Sequence, residues 1–217
     1  MKNNQSVVVV AVVFAFIASP VVEAATEGWY AGVGAGKARV VEDMCDGSED
    51  SFDLGSSSCS ADDTSTSWKV FAGYQFHPNV SAELGYVDFG KTAEASARGT
   101  VLGVASSVSL DWEPKGFTVG AVGTFPVGSG FELLGKLGLM RWDVDLSFSG
   151  TGAYADAGSF GDDDTGIDLT FGIGVKYDFN KTVALRAEWD RFNDVGDKDT
   201  TDQADIDMLS VGVQFGF

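Results

Sequence analysis

Apolar residues alternate with polar or small residues in eight segments of the chain. The longest runs from Ile167 to Phe179, where every odd position is apolar and the even positions are Asp, Thr, Gly or Lys. Such period-two alternation is typical of β-strands with one apolar face and one polar face. The eight segments are 29–35, 68–76, 80–86, 117–125, 131–139, 167–179, 183–189 and 209–217. They predict an all-β fold.

The connections between these segments alternate in length. Short ones lie at 77–79, 126–130 and 180–181, and long ones at about 38–66, 90–115, 143–165 and 194–205. Outer-membrane barrels have tight turns at one end, long loops at the other, and aromatic girdles at both membrane interfaces. Aromatic residues do cluster at the segment ends here. We therefore predict an eight-stranded antiparallel up-and-down transmembrane β-barrel over residues 25–217.

A soluble β-sandwich also alternates and is the alternative fold. The polar face here is rich in Gly, Ala and Thr and has few long charged side chains per strand, as the crowded interior of a small barrel requires. This composition favours the barrel. Its register directs these residues towards lipid: Leu169, Phe171, Ile173, Leu185, Ala187, Val211 and Val213.

The N-terminus predicts export. Lys2 precedes an apolar run at 7–17, which is too short to span a bilayer as a helix. Val22-Glu23-Ala24 then resembles a signal-peptidase site. We predict a signal peptide over residues 1–24, cleaved after Ala24, with Ala25 as the neighbouring option.

The mature chain is strongly acidic, and this excludes nucleic acid as a partner. The 32 Asp and Glu residues against 14 Lys and Arg give a net charge of −18, which repels phosphate backbones. Acidic residues are frequent in the predicted outer loops. They either bridge to lipopolysaccharide through divalent cations or form a solvated surface. The run 162–164 lacks the spacing of a helix-loop-helix calcium site, so no metal or cofactor is predicted.

Few residues offer catalytic chemistry. The only histidine is His77, which lies in a tight turn rather than at the outer rim, so we predict no enzyme activity and no catalytic residues. Cys45 and Cys59 are the only cysteines, both in the first long connection. Because an exported chain reaches an oxidising compartment, we predict that they form a disulfide.

Several segments resemble the transmembrane domain of the outer-membrane protein A family. They are Gly28-Trp29-Tyr30-Ala31-Gly32, Phe71-Ala72-Gly73-Tyr74-Gln75, Glu83-Leu84-Gly85-Tyr86, Leu185-Arg186-Ala187-Glu188-Trp189 and Met208-Leu209-Ser210-Val211-Gly212-Val213. The resemblance implies a monomeric barrel in the outer membrane of a Gram-negative bacterium, in contact with lipid and lipopolysaccharide. Phe215 and Phe217 resemble the signal that the barrel assembly machinery recognises. The family's peptidoglycan-binding domain has no counterpart here, so cell-wall tethering is not expected.

The resemblance also concerns the barrel interior. Glu83 and Arg186 match interior charges of the family, whereas Val122 and Lys176 stand where the family has a lysine and a glutamate. Because an unpaired buried charge is costly, we predict one rewired interior charge network. Its members are Glu83, Glu132, Lys136, Lys176, Arg186 and Glu188. These charges either only neutralise one another or form an ion gate.

Eight strands enclose a lumen that side chains can fill, so a general diffusion pore is not expected. The predicted function is a structural or surface-interaction role in the outer membrane. The alternative is a narrow ion or small-solute channel.

Overall fold

The computed structural model describes residues 27–41, 58–62, 64–101, 104–152, 160–197 and 203–217. These residues form ten strand segments and contain no helix with the length and apolarity to cross a membrane. The strands are β1 (Gly28–Val40), β2 (Ser58–Asp62), β3 (Thr64–His77), β4 (Val80–Asp88), β5 (Ala93–Val101), β6 (Val104–Gly128), β7 (Phe131–Thr151), β8 (Phe160–Asp178), β9 (Val183–Val195) and β10 (Ala204–Gly216).

Eight of the segments close into an antiparallel barrel in the order β1, β3, β4, β6, β7, β8, β9, β10. The barrel closes because β1 pairs with β3 along one edge and with β10 along the other. This confirms the predicted eight-stranded antiparallel barrel. The short turns lie at 78–79, 129–130 and 179–182, also as predicted. We call the barrel end that carries them the short-turn end and the opposite end the outer end.

The remaining two segments extend the barrel at its outer end. β5 pairs with β6 just beyond the β4–β6 pairing, and β2 pairs with β5. A bend at 89–92 separates β4 from β5, where Gly90 has a φ of 65°, a left-handed conformation that suits glycine. β4 and β5 together therefore occupy the position of one long barrel strand, and β2 precedes β3 in the same way.

The strands extend well into segments that the sequence assigned to loops. Much of 90–115 and 143–165 belongs to β5, β6, β7 and β8, so the expected boundaries of these two long loops were wrong. The reason is a change in which face is apolar. In β6 the apolar residues Phe117 and Val119 point outward, whereas Trp112 points inward. The change interrupts the period-two pattern.

Outward apolar side chains form a belt around the lower part of the barrel. Leu169 is 57% exposed and Ile173 is 62% exposed, in agreement with the register inferred from the sequence. The ten steps from Ile167 to Tyr177 give about 33 Å of strand at about 3.3 Å per step. At a tilt of about 40° this corresponds to about 25 Å, the height of the apolar band of outer-membrane barrels.

Above the belt, apolar side chains fill the inside of the barrel instead. We call this cluster the outer core. It contains Ala38, Val40, Val87, Phe89, Trp112, Met140, Trp142, Val144, Phe192, Val195, Ala204, Ile206 and Met208.

Candidate functional site: the barrel interior

Inward-pointing charges from four strands meet inside the belt region. Lys69 comes from β3, Glu83 from β4, Lys136 from β7, and β9 supplies three residues. Those three are Arg186, Glu188 and Asp190, at successive inward positions of one strand. All six are buried except Lys136, which is partly exposed. We call these six residues the central network.

Arg186 is the most deeply buried member, with 1% of its surface exposed. Its guanidinium lies 2.8 Å from Glu83 Oε2 and 2.5 Å from Glu188 Oε1, and it donates to Gln214 Oε1 at 3.2 Å. The guanidinium carbon also lies 4.3 Å from the centre of the Phe71 ring, within cation–π distance. One arginine thus joins β9 to β4 across the lumen.

Two lysines complete the central network. Lys136 Nζ lies 3.0 Å from Glu83 Oε1 and 3.4 Å from Glu188 Oε1. Lys69 Nζ lies 2.7 Å from Glu188 Oε2 and 2.6 Å from Asp190 Oδ2. Three cations therefore face three carboxylates, so the network is neutral as a whole, which the low-dielectric interior requires.

Tyr30 extends the central network towards the short-turn end. Its hydroxyl donates to Glu83 Oε2 at 3.1 Å and lies 3.0 Å from Ser81 Oγ. Glu83 therefore has neighbours on both carboxylate oxygens: Arg186 and Tyr30 at Oε2, and Lys136 at Oε1. This arrangement fixes the Glu83 side chain in one orientation.

The other two residues of the proposed network form a separate group near the short-turn end. Lys176 Nζ lies 2.8 Å from Glu132 Oε2 and 3.3 Å from Asp178 Oδ1. Within the described residues no ion pair links this group to the central network. The single network inferred from the sequence is therefore divided into two, and Glu132 and Lys176 belong to the smaller group.

Sequence reasoning left Lys69 and Asp190 out of the network. Both lie on the face opposite to an apolar set, Lys69 between Trp68 and Val70, and Asp190 next to Trp189. Their places in the alternation of apolar and polar residues indicate that both side chains point inward. Val122, at the position of the family's lysine, is buried and faces Lys136 on the neighbouring strand.

The outer core closes the lumen above the central network. Its largest members are fully buried, and Phe89 packs edge-on against Phe192 with ring centres 4.9 Å apart. Trp142, at its border, donates from Nε1 to Asp168 Oδ2 at 2.7 Å. This core was not expected from the sequence pattern, because an outer-membrane barrel of this kind is expected to have a polar interior.

Two cavities show where space remains. A vestibule of about 430 Å³ opens at the short-turn end, and its lining includes Tyr30, Gln75, Lys176 and Gln214. A cavity of about 40 Å³ lies beside Lys69, Glu83, Lys136 and Asp190, large enough for one or a few water molecules. The vestibule lining ends at Tyr30 and Gln214, which contact Glu83 and Arg186.

On the outside, paired charges replace the apolar belt towards the outer end. We call this outward-facing zone the collar. Lys115 Nζ lies 2.6 Å from Asp145, Lys91 Nζ lies 3.1 Å from Asp111, and Arg191 forms two hydrogen bonds with Asp207 at 2.6 and 2.8 Å. These hydrogen bonds raise the pKa of Lys91, of Lys115 and of Arg191 above their usual values. All three remain charged at neutral pH.

The remaining sequence-derived sites lie at the ends of strands or outside the described residues. Cys59 lies in β2, but Cys45 is outside the described residues, so the disulfide stays a prediction. The signal peptide over residues 1–24 is also outside them. Phe215 is exposed on the belt, and Phe217 donates from its backbone N–H to Trp29 O at 2.9 Å. Their role in assembly stays a prediction.

Comparisons with known sequences all point to one protein family. A model of the OmpA-like transmembrane domain matches residues 24–217. Outer membrane protein A of Klebsiella pneumoniae is 31% identical over 150 residues, which cover 68% of this chain and 40% of that protein. The Shigella flexneri protein of the same name is 28% identical over 149 residues, 68% of this chain and 39% of its own length. The chain thus aligns with well under half of these relatives.

Solved structures share the barrel fold. Neisserial surface protein A superimposes with a TM-score of 0.56 at 16% identity, covering 88% of this chain and 97% of that one. Ail of Yersinia pestis, solved with the heparin analogue sucrose octasulfate, gives a TM-score of 0.52 at 15% identity, covering 88% and 100%. At these identities the likeness concerns the fold alone.

Proposed function

Because the chain belongs to the OmpA-like transmembrane domain family, and is an integral barrel of the Gram-negative outer membrane, we propose that it has a structural and surface-interaction role with a sealed lumen and no enzymatic activity. Its outer end presents the paired charges of the collar to the medium. Its lower part anchors them in lipid. As partners we propose membrane lipid and lipopolysaccharide, and the barrel assembly machinery during insertion, for a monomeric protein.

The observation that carries this proposal is the presence of two chemically different barriers in series. The central network joins opposite walls of the barrel through Arg186, Glu83 and Glu188. Above it the outer core fills the lumen with buried Trp112, Met140 and Ile206. An ion crossing the barrel would have to pass a neutral cluster of ion pairs and then an apolar region, where an unpaired charge costs on the order of several kcal/mol.

The net charge of −18 also bears on the surface partner. The structural neighbour Ail was solved with a sulfated, strongly anionic ligand. A protein of this net charge repels ligands of that kind. We therefore propose that the outer connections recognise cationic groups, or acidic surfaces through divalent cations.

The second candidate function is a narrow channel, and the vestibule of about 430 Å³ favours it. This space extends to Tyr30, next to the central network. Rearrangement of the ion pairs alone would then open a path only as far as the outer core. The two functions therefore differ in whether the outer core also opens.

Single-channel recording in planar bilayers tests the proposal. We expect the parent protein to be silent, with a porin in the same bilayers as a positive control. Trp112→Ala should also be silent, because the central network still seals the lumen. Combining Trp112→Ala with Glu83→Ala and Arg186→Ala should produce conductance if the variant folds. Regular openings of the folded parent protein would reject the sealed lumen and support the channel.

A further inference from the structure

We propose that Arg141 binds the phosphate of an anionic glycolipid in the outer leaflet, while the belt side chains beneath it contact the acyl chains of the same lipid. This inference deepens the structural role, and it rests on that role only for the position of the belt in the membrane. The proposed ligand of the upper edge of the belt is thus one anionic glycolipid.

The first observation is the position of Arg141. Its neighbours across the two adjacent strands are Phe117 on β6 and Ile167 on β8, which are 67% and 64% exposed. Leu139, two residues earlier on β7, is also exposed on the belt. Arg141 is therefore the first outward charge above a continuous apolar surface made by three strands. This is the depth at which lipid headgroups begin.

The second observation is that the Arg141 side chain has no partner among the residues that the structure describes. In the collar, Lys91, Lys115 and Arg191 each form an ion pair with a carboxylate. The Arg141 side chain is exposed and forms no hydrogen bond or ion pair with any residue that the structure describes. Its planar guanidinium offers donors in the geometry that fits two oxygens of a phosphate. The unpaired cation and the apolar surface below it match the two parts of an anionic lipid.

Lys115 adds a second positive charge nearby. It lies opposite Asp143 across the β6–β7 pair, two residues from Arg141 on the same face. Diagonal neighbours of this kind are about 7–8 Å apart, within reach of long side chains. Asp145 holds the Lys115 ammonium at 2.6 Å, whereas Asp143 lies at 3.6 Å. Because these carboxylates already hold the Lys115 ammonium, Lys115 contributes less to phosphate binding, and Arg141 is the main contact of the phosphate.

Lipid retention measured by native mass spectrometry tests the proposal. The full chain, refolded in detergent, is incubated with diphosphoryl lipid A or with the same lipid after removal of its phosphates. The variants are Arg141→Gln, which removes the charge, and Arg141→Lys, which keeps it without the planar geometry. Lys91→Gln removes a charge that lies farther from the belt and serves as the matched control. Heat-modifiable migration on gels verifies that each variant is folded.

We expect the parent and Lys91→Gln to retain the diphosphoryl lipid about fivefold better than Arg141→Gln, as about 1 kcal/mol per surface cation implies. Arg141→Lys should fall between them. The dephosphorylated lipid should not distinguish the parent from Arg141→Gln. Inorganic phosphate alone should not displace the lipid, because it lacks the acyl chains.

Equal retention by the parent and Arg141→Gln would overturn the proposal. So would an equal loss in Lys91→Gln, which would indicate a general charge effect, or full displacement by inorganic phosphate, which would indicate an anion site without lipid. Conductance by the parent in planar bilayers would reject the sealed lumen without changing these retention values. The two proposals therefore fail separately.

Discussion

The lower and outer parts of the barrel use opposite arrangements of the same strands. Along β7, Lys136 points into the lumen and Leu137 towards lipid, whereas farther along Val144 points inward and Asp145 outward. The lower part is polar inside and apolar outside, as a bilayer requires. The outer part is apolar inside and charged outside, like a soluble β-structure. The solvent around each part thus determines which face carries the apolar residues.

The difference also teaches how each part is stabilised. Lipid surrounds the lower part, so burial of apolar side chains inside it is not needed and ion pairs can hold the walls together. Water surrounds the outer part, where an apolar core of side chains such as Met140 and Ile206 supplies the hydrophobic contribution. Substitutions should therefore have different effects in the two parts, even at neighbouring positions.

The largest effect is expected in the central network. Arg186→Ala should lower the free energy of unfolding by about 3–5 kcal/mol, because it leaves Glu83 and Glu188 buried with fewer cations. Urea titration of protein folded into lipid vesicles measures this value. Combining Arg186→Ala with Glu83→Ala should cost less than the sum of the two single changes. Strict additivity in this double-mutant cycle would mean that the pair is not coupled.

A cavity in the outer core should have the next largest effect. Met140→Ala should cost about 2–5 kcal/mol, because the close-packed core cannot fill the space that is left. The neighbouring Leu139→Ala is the matched control on the lipid side. It should cost less, because lipid chains occupy the vacated volume. If the two changes had equal costs in the same titration, the outer core would not be packed as described.

A charge on the belt should have a comparable or smaller effect. Ile173→Arg should cost about 2–4 kcal/mol near the middle of the belt. Thr165→Arg places the same side chain on the outward face of the same strand, but above the belt. It should change the stability little. A large loss for Thr165→Arg would show that the bilayer extends higher along β8 than the belt does.

The smallest effect is expected in the collar. Asp207→Asn removes the carboxylate that accepts two hydrogen bonds from Arg191, a partly exposed pair. Such pairs contribute about 0.2–1 kcal/mol, and salt screens them. The difference from the parent should shrink when the titration is repeated in 1 M salt. A cost that stays the same in salt would indicate packing rather than charge.

The lower part of the barrel could be predicted from the sequence because its pattern is simple. The alternation at 167–179 gives the strand, its outward face and the short turn that follows. The inward direction of Glu83 and Arg186 follows from the same alternation together with the family resemblance. Lys69 occupies an inward position in the same alternation, so it could have been included in the predicted charge network.

The height of each inward residue along the barrel axis could not be predicted in this way. Alternation assigns a residue to a face but does not say which inward residues from different strands lie at the same height. Glu132 and Lys136 both point inward on β7, yet four residues along a strand separate them by about 13 Å. They therefore join different ion-pair groups. Strand stagger, which the sequence pattern does not contain, determines these groupings.

The outer core was missed for a related reason. Trp112 and Val144 lie in strands where the apolar residues switch between the odd and the even positions. A search for one continuous alternation therefore ends before them. The paired charges of the collar, such as Lys115 and Asp145, resemble loop composition when read in sequence. Their alternation with apolar inward residues becomes evident only when both faces are considered separately.

The most direct test of this reversal is a scan of spin-label accessibility along the outward face of β7. Labels at 133, 135, 137, 139, 141, 143 and 145, in a background with Cys45→Ser and Cys59→Ser, are reconstituted in vesicles. Collisions with oxygen report lipid, and collisions with a water-soluble nickel complex report solvent. Positions 133–139 should be accessible to oxygen, and 143 and 145 to nickel, with the change at 141. Oxygen accessibility that continues through 145 would contradict the reversal of polarity.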